Sequence, residues 1–158
     1  MLLFQMKQEK PIMTFRPSET MEEGAIYDFD FSQDKKVAFV GSDEPSLLFK
    51  ISIEKNNKSL VWKHKNADCV FDVRLSNDEK LVLSCNRETQ VNLNSAVDGT
   101  LLSTFNRFTL ESVNGILWSP DDQVSLAWSD NELVLLRVGS SGKFLEKLDE
   151  IKKEAIGG

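Results

Sequence analysis

The chain is poor in the side chains that do chemistry. Its 158 residues include one histidine, two cysteines and one tyrosine. The histidine, His64, stands between Lys63 and Lys65 just after a strand-like stretch. Any Ser-His-Asp or Cys-His device would have to be built on it, and nothing around it supplies a nucleophile, so it reads as a solvent-facing or structural residue. Cys69 and Cys85 are too few for a disulfide framework. They also lack the CxxC spacing and histidine partner of a zinc site, which takes about four ligands. They read as reduced core cysteines and predict a cytoplasmic protein. No glycine-rich phosphate loop is present. No stretch approaches the roughly 18 apolar residues of a spanning helix. The segment Met1–Lys7 has neither the apolar length nor the preceding basic stretch of a signal peptide. Basic residues are in deficit, 19 against 25 acidic ones, for a formal charge of −6. A general nucleic-acid binder needs clustered Lys and Arg to displace counterions from phosphate, so that class is excluded, whereas a basic protein partner suits the balance. No cofactor, metal or membrane is expected. The remainder, 41% hydrophobic and 28% charged, is ordinary for a globular domain.

What the chain does have is a repeat. Ile26–Lys36 is echoed by Val70–Lys80 and again by Val113–Gln123. Aligning Phe31, Leu75 and Trp118 gives spacings of 44 and 43 residues, the range of a four-stranded propeller blade. Each unit continues alike. A second strand is expected at Val37–Val40, Leu81–Ser84 and Val124–Trp128, and a third at Leu47–Ile51, Gln90–Leu93 and Leu133–Val138. Turns follow at Asn56–Lys58, Asp98–Thr100 and Ser141–Lys143, where Asn and Gly tolerate the positive φ of tight hairpins. Fourth strands are expected at Ser59–Lys63, Leu101–Phe105 and Phe144–Leu148. Leu2–Gln5 and Pro11–Phe15 fit the third- and fourth-strand places of a preceding unit. From Phe144 onward, Leu145, Leu148, Ile151 and Ala155 form a helical stripe, which predicts a short helix over about Glu146–Ala155.

The first-strand segments resemble the WD-repeat pattern apolar-x-x-apolar-x-Phe-Ser-Pro-Asp-Gly-Lys, most closely in Trp118–Ser119–Pro120–Asp121–Asp122. Several positions depart from the family. Phe49, Leu93 and Leu136 take the place of its third-strand Trp, and Lys50, Asn94 and Arg137 that of its Asp. His64 lies about two residues early for its Gly-His pair. The family's Asp-His-Ser/Thr-Trp hydrogen-bond network is therefore incomplete. The resemblance implies an all-β fold of propeller blades with four antiparallel strands each, about three and a half of them. The expected organisation is a partial propeller over residues 1–148, made of an outer half-blade with linker (1–24) and blades at 25–67, 68–110 and 111–148. A helical or flexible tail follows at 149–158. A β-sandwich with the same turn spacing is the competing fold.

Propellers usually have about four to eight blades, so exposed terminal faces and an unpaired edge are expected to invite association. The missing blades could come from a longer chain, a second copy or a different protein. Asp34, Asp78 and Asp121 recur once per unit and read as turn caps rather than ligands. Asp28 and Asp72 share a position that Gly115 fills in the third unit, which argues against a catalytic ring. Partners of the family commonly dock on the face of fourth-to-first and second-to-third loops. Here those loops carry Glu22, Glu23, Asp43, Glu44, Asp68, Arg87, Glu88, Arg107, Asp130 and Glu132, with Phe108 beside Arg107. The expected function is a non-catalytic protein–protein interaction scaffold or assembly subunit that binds a basic protein surface through Asp43, Glu44, Arg87, Glu88, Arg107, Phe108, Asp130 and Glu132. The ring would be completed as a homo-oligomer or hetero-assembly. The alternative is a fragment of a larger propeller enzyme of hydrolase or lactonase type.

Overall fold

The structure is a computed structural model, and it describes residues 2–4, 11–14, 25–43, 46–54, 57–66, 68–106, 112–139 and 143–152. The chain is all-β, with no helix among the described residues. A two-stranded sheet pairs β1 (Leu2–Phe4) with β2 (Pro11–Thr14). Three four-stranded sheets follow. The first contains β3 (Ile26–Phe31), β4 (Val37–Ser42), β5 (Leu47–Glu54) and β6 (Asn57–Lys65). The second contains β7 (Val70–Leu75), β8 (Leu81–Asn86), β9 (Val91–Ser95) and β10 (Leu101–Phe105). The third contains β11 (Gly115–Trp118), β12 (Val124–Trp128), β13 (Glu132–Val138) and β14 (Phe144–Lys152). In each, every strand pairs antiparallel with its neighbour in sequence.

One turn recurs between the first and second strands of all three sheets. Ser32, Ser76 and Ser119 donate their hydroxyls to Asp34, Asp78 and Asp121 two residues on. The same carboxylates accept the amides of Lys36, Lys80 and Gln123. Each serine hydroxyl also accepts the amide five residues on, at Val37, Leu81 and Val124. The three periodic aspartates are thus turn caps, as their spacing predicts. The residue after each aspartate, Lys35, Glu79 or Asp122, has φ near +60°. The WD-repeat pattern has Gly there, because only Gly adopts that conformation without strain.

The sheets stack through their first strands, β3 against β7 and β7 against β11. Phe39, Leu48, Val70, Val73, Val82 and Ala96 fill the layer between the first and second sheets. Leu83, Cys85, Val91 and Leu93 meet Val113, Ile116, Ala127, Val134 and Leu136 between the second and third. A third cluster, Ala38, Val40, Phe49 and Ile51, lies on the far side of the first sheet. The face of each sheet toward the preceding one is termed upstream and the opposite face downstream.

The C-terminal helix is not formed. Residues 146–152 continue β14, pairing Glu146 with Arg137, Asp149 with Leu135 and Lys152 with Glu132. The register shifts twice, leaving Leu145 and Leu148 without a partner opposite. Each bulge adds one residue to a two-residue alternation, so apolar residues fall three apart and mimic a helical stripe. The rest of the expected tail, residues 153–158, lies outside the described residues.

Candidate functional site

At one end of the stack, each sheet's first strand begins beside its own second-to-third loop. Equivalent positions there hold Tyr27, Phe71 and Asn114 on the strands and Asp43, Arg87 and Asp130 on the loops. Two bonds fix the loops to the strand starts. Ala25 donates its amide to Asp43 Oδ1 at 2.6 Å, and Asn114 donates Nδ2 to Asp130 Oδ1 at 2.6 Å. Tyr27 stands 49% exposed with its ring edge-on to Phe71 at 5.1 Å. Desolvation and the nearby Asp43 carboxylate raise the Tyr27 phenol, which stays a hydrogen-bond donor. Asp68 is held below the usual carboxylate range by the Cys69 amide it caps, with help from Arg87. The result is an exposed Tyr27 ring resting on the partly buried Phe71, with Asp43 and Arg87 close to it and Asp68, Glu88 and Asp130 on the loops of the same end.

Of the residues expected from sequence to bind a partner, Asp43, Arg87, Glu88 and Asp130 are at this end. Glu132 is not a loop charge: it opens β13 and is only 7% exposed, so it belongs to the folded body and not to a surface. Glu44, Arg107 and Phe108 lie outside the described residues. The sequence reading missed Tyr27 and Phe71, although two aromatic residues one repeat apart were the available signal.

A second polar cluster joins the sheets. The amide of Val73 donates to Asp28 Oδ2 at 3.0 Å, and one repeat later Ile116 donates to Asp72 Oδ2 at 2.9 Å. Leu75 donates likewise to Asp30 at 2.9 Å. Arg74 Nη1 lies 2.6 Å from Asp28 and 2.8 Å from Asp72. Burial, together with a proton shared with Asp28, pushes Asp72 up to about 7. Burial works against ionisation of Asp28 too, but the hydrogen bond from Asp72, the Val73 amide and Arg74 outweigh it and hold Asp28 low. Asp28 and Asp72 do come together, as their shared repeat position allows, and Gly115 completes no third member. Cys85 is buried and donates to the carbonyl of Val113 at 3.3 Å, and burial raises its thiol well above the usual range. His64 sits on the outer strand β6, where partial burial lowers its pKa below the usual imidazole value. Among the described residues no group of three or more His, Cys, Asp or Glu is placed to hold a metal ion, and no helix is long and apolar enough to cross a membrane.

No protein-family model matches the chain, and no curated protein matches it. Among solved structures, the crystal structure of a functionally unknown protein from Desulfotomaculum acetoxidans DSM 771 superposes with a TM-score of 0.69 at 18% identity. The match covers 80% of this chain and 41% of that one. At this identity the likeness shows a shared fold alone, and the match spans about two fifths of its neighbour's length.

Proposed function

We propose that the three four-stranded sheets are WD-repeat-like propeller blades, and that the chain is a non-catalytic scaffold whose Tyr27–Phe71 end binds a basic segment of a protein partner. Two features support the propeller reading. Each sheet is a simple meander, and consecutive sheets are joined through their first strands by bonds between residues 44 to 46 apart. The observation that carries the binding reading is the half-exposed Tyr27 against Phe71, with Asp43 close to it and further carboxylates on the loops of the same end. Tyr and Arg are enriched at interface hot spots, and an aromatic face beside carboxylates suits Lys and Arg through cation–π contact and ion pairing.

The test is a titration of a fluorescent Lys/Arg-rich peptide, read by anisotropy at low and high salt. Tyr27→Ala is expected to weaken binding about tenfold or more, and Asp130→Lys to weaken it while flattening its salt dependence. Affinity unchanged in both variants would sink the reading. One observation favours the rival, a propeller enzyme: a carboxyl group with pKa near 7 is the kind used in proton transfer. Asp72 is nevertheless occupied by Ile116 and Arg74 and is 6% exposed. A thermal-shift screen with divalent metals separates the two, because a metal that binds only the folded state raises its melting point.

A further inference from the structure

The downstream faces of the three sheets differ in one respect. Where another sheet covers such a face, charged residues stand at set places. On the first sheet, Asp28 and Asp30 accept the amides of Val73 and Leu75 from the second, and Lys50 donates Nζ to the Ala96 carbonyl at 2.8 Å. On the second, Asp72 accepts the amide of Ile116 from the third, and Arg74 stands at the place of Asp30. The strand registers put Gly115, Leu117 and Leu135 at the places of Asp28, Asp30 and Lys50 on the third sheet. Leu126, Trp128 and Leu133 complete the face, and the Trp128 indole lies over Gly115, where a Cβ would strike the ring. Across β11, β12 and β13 the one charged residue on this side is Arg137, at the border opposite Val124.

This most apolar of the three faces is also the open one. On the second sheet, Leu83, Cys85, Val91 and Leu93 are at most 1% exposed. Their equivalents on the third, Leu126, Trp128, Leu133 and Leu135, are only partly buried, and Leu117 is 46% exposed. An antiparallel sheet that ends in solvent carries polar residues on its wet side, whereas an open apolar patch marks a surface that another body covers.

What it lacks says what fits it. A further sheet of the same series would bring first-strand amides, and Gly115 and Leu117 have no carboxylate to accept them. At the turns, Gln33 and Asn77 give their amides to Glu79 and Asp122 of the following sheet. The third sheet has Pro120 at that place, with no N–H to give. Such a sheet would bury its amides unbonded, which is costly. The occupant that asks for no hydrogen bond is a surface of the same composition. A second copy offers one such surface: its own third sheet. The upstream face of its first sheet is already covered within the chain, with Ala38, Val40, Phe49 and Ile51 at most 1% exposed. An apolar face free of charge at its centre also meets itself without repulsion.

We infer that the downstream face of the third sheet pairs with the same face of a second copy across a twofold axis. Leu117, Leu126, Trp128, Leu133 and Leu135 of each copy form the common layer, packed as two sheets pack face to face. A contact of this isologous kind is complete at two copies.

Light scattering of the whole chain is expected to give one species at twice 17.9 kDa, with nothing larger as concentration rises. Leu117→Lys, at an exposed position, is expected to give a monomer of unchanged circular dichroism. Val97→Lys, 72% exposed on the second sheet and away from this face, is expected to stay a dimer. The wild-type chain also carries its own reporter. On dilution its tryptophan emission should shift to the red as Trp128 meets water, because Trp62 and Trp118 are packed in the layers between sheets. Trp128→Phe should lose that shift. A monomer at every concentration overturns the proposal. So does a dimer that survives Leu117→Lys, one lost equally in Val97→Lys, one whose emission does not move on dilution, or a series of species growing past two copies. The Tyr27–Phe71 end is not part of this face, so the peptide titration and the pairing fail or succeed separately.

Discussion

At the scale of single residues, Asp72 sets the response to pH. Its raised pKa, about 7 against 3.8 unfolded, means the folded chain holds a proton that the unfolded chain has already lost between those values. Stability contributed by that proton is present at low pH and is lost as pH rises toward 7. Asp28 works in the opposite sense. Its lowered pKa gives stability above the unfolded value that is lost on acidification. The groups facing the pair are Arg74, Cys85 and the Ile116 amide. The melting temperature is expected to fall between pH 5 and pH 8, and Asp72→Asn to flatten that slope. An Asp72→Asn variant with the slope of the wild type would contradict this. The left-handed turn residues give a second test. Asp122 has φ of 57° and Lys35 of 58°, a conformation that costs a non-glycine residue roughly 1–2 kcal/mol. Lys35 makes no internal bond among those described that Gly would forfeit, so Lys35→Gly is expected to raise stability in thermal melts of the dilute chain. Asp122→Gly relieves the same strain but removes the bonds to Asn77 and Asp78, and is expected to be neutral to about 2 kcal/mol destabilising.

At the scale of strands, Gly115 and Trp128 form one packing unit. Gly115→Ala puts a methyl group inside the indole, so the ring must leave. The expected outcome is a red-shifted tryptophan emission and a lower melting point, and an unshifted spectrum would show that the ring was never seated there. Ile116→Ala, in the layer between the second and third sheets, is expected to cost about 2–4 kcal/mol in chemical unfolding. The strands themselves were legible in the sequence. Alternation and the Ser-x-Asp turn mark each hairpin, and the expected strands differ from the observed ones mainly at their ends. Two features were not legible, one because of bulges and one because the loops between second and third strands differ in length. One is β14, whose double bulge produced a helix-like spacing. The other is the third-strand alignment. Phe49, Leu93 and Leu136 look equivalent, but Phe49 pairs with Val40, Leu93 with Leu83, and Leu136 with Ser125. The register makes Asn92 and Val134 the true counterparts of Phe49. Sequence spacing drifts where loops and bulges differ in length, and only pairing fixes it.

At the scale of the molecule, the candidate site was half legible. Loop charges could be placed at one end from the repeat, which located Asp43, Arg87, Glu88 and Asp130. The burial of Glu132 and the pairing of Tyr27 with Phe71 needed the stack, because a residue's exposure depends on the sheet 44 residues away. The inter-sheet bonds have a further consequence, for the order in which the chain is made. Strand pairing within a sheet is local, whereas the bonds between the first strands of consecutive sheets span about one repeat. A ribosome adds about 5–20 residues per second, so a new sheet emerges every few seconds, and a hairpin closes in roughly 1–10 μs. Each sheet can therefore zip long before its successor exists. The surface it offers, with Asp28 or Asp72 waiting for an amide not yet synthesised, acts as a template on which the next stretch of nascent chain comes to rest.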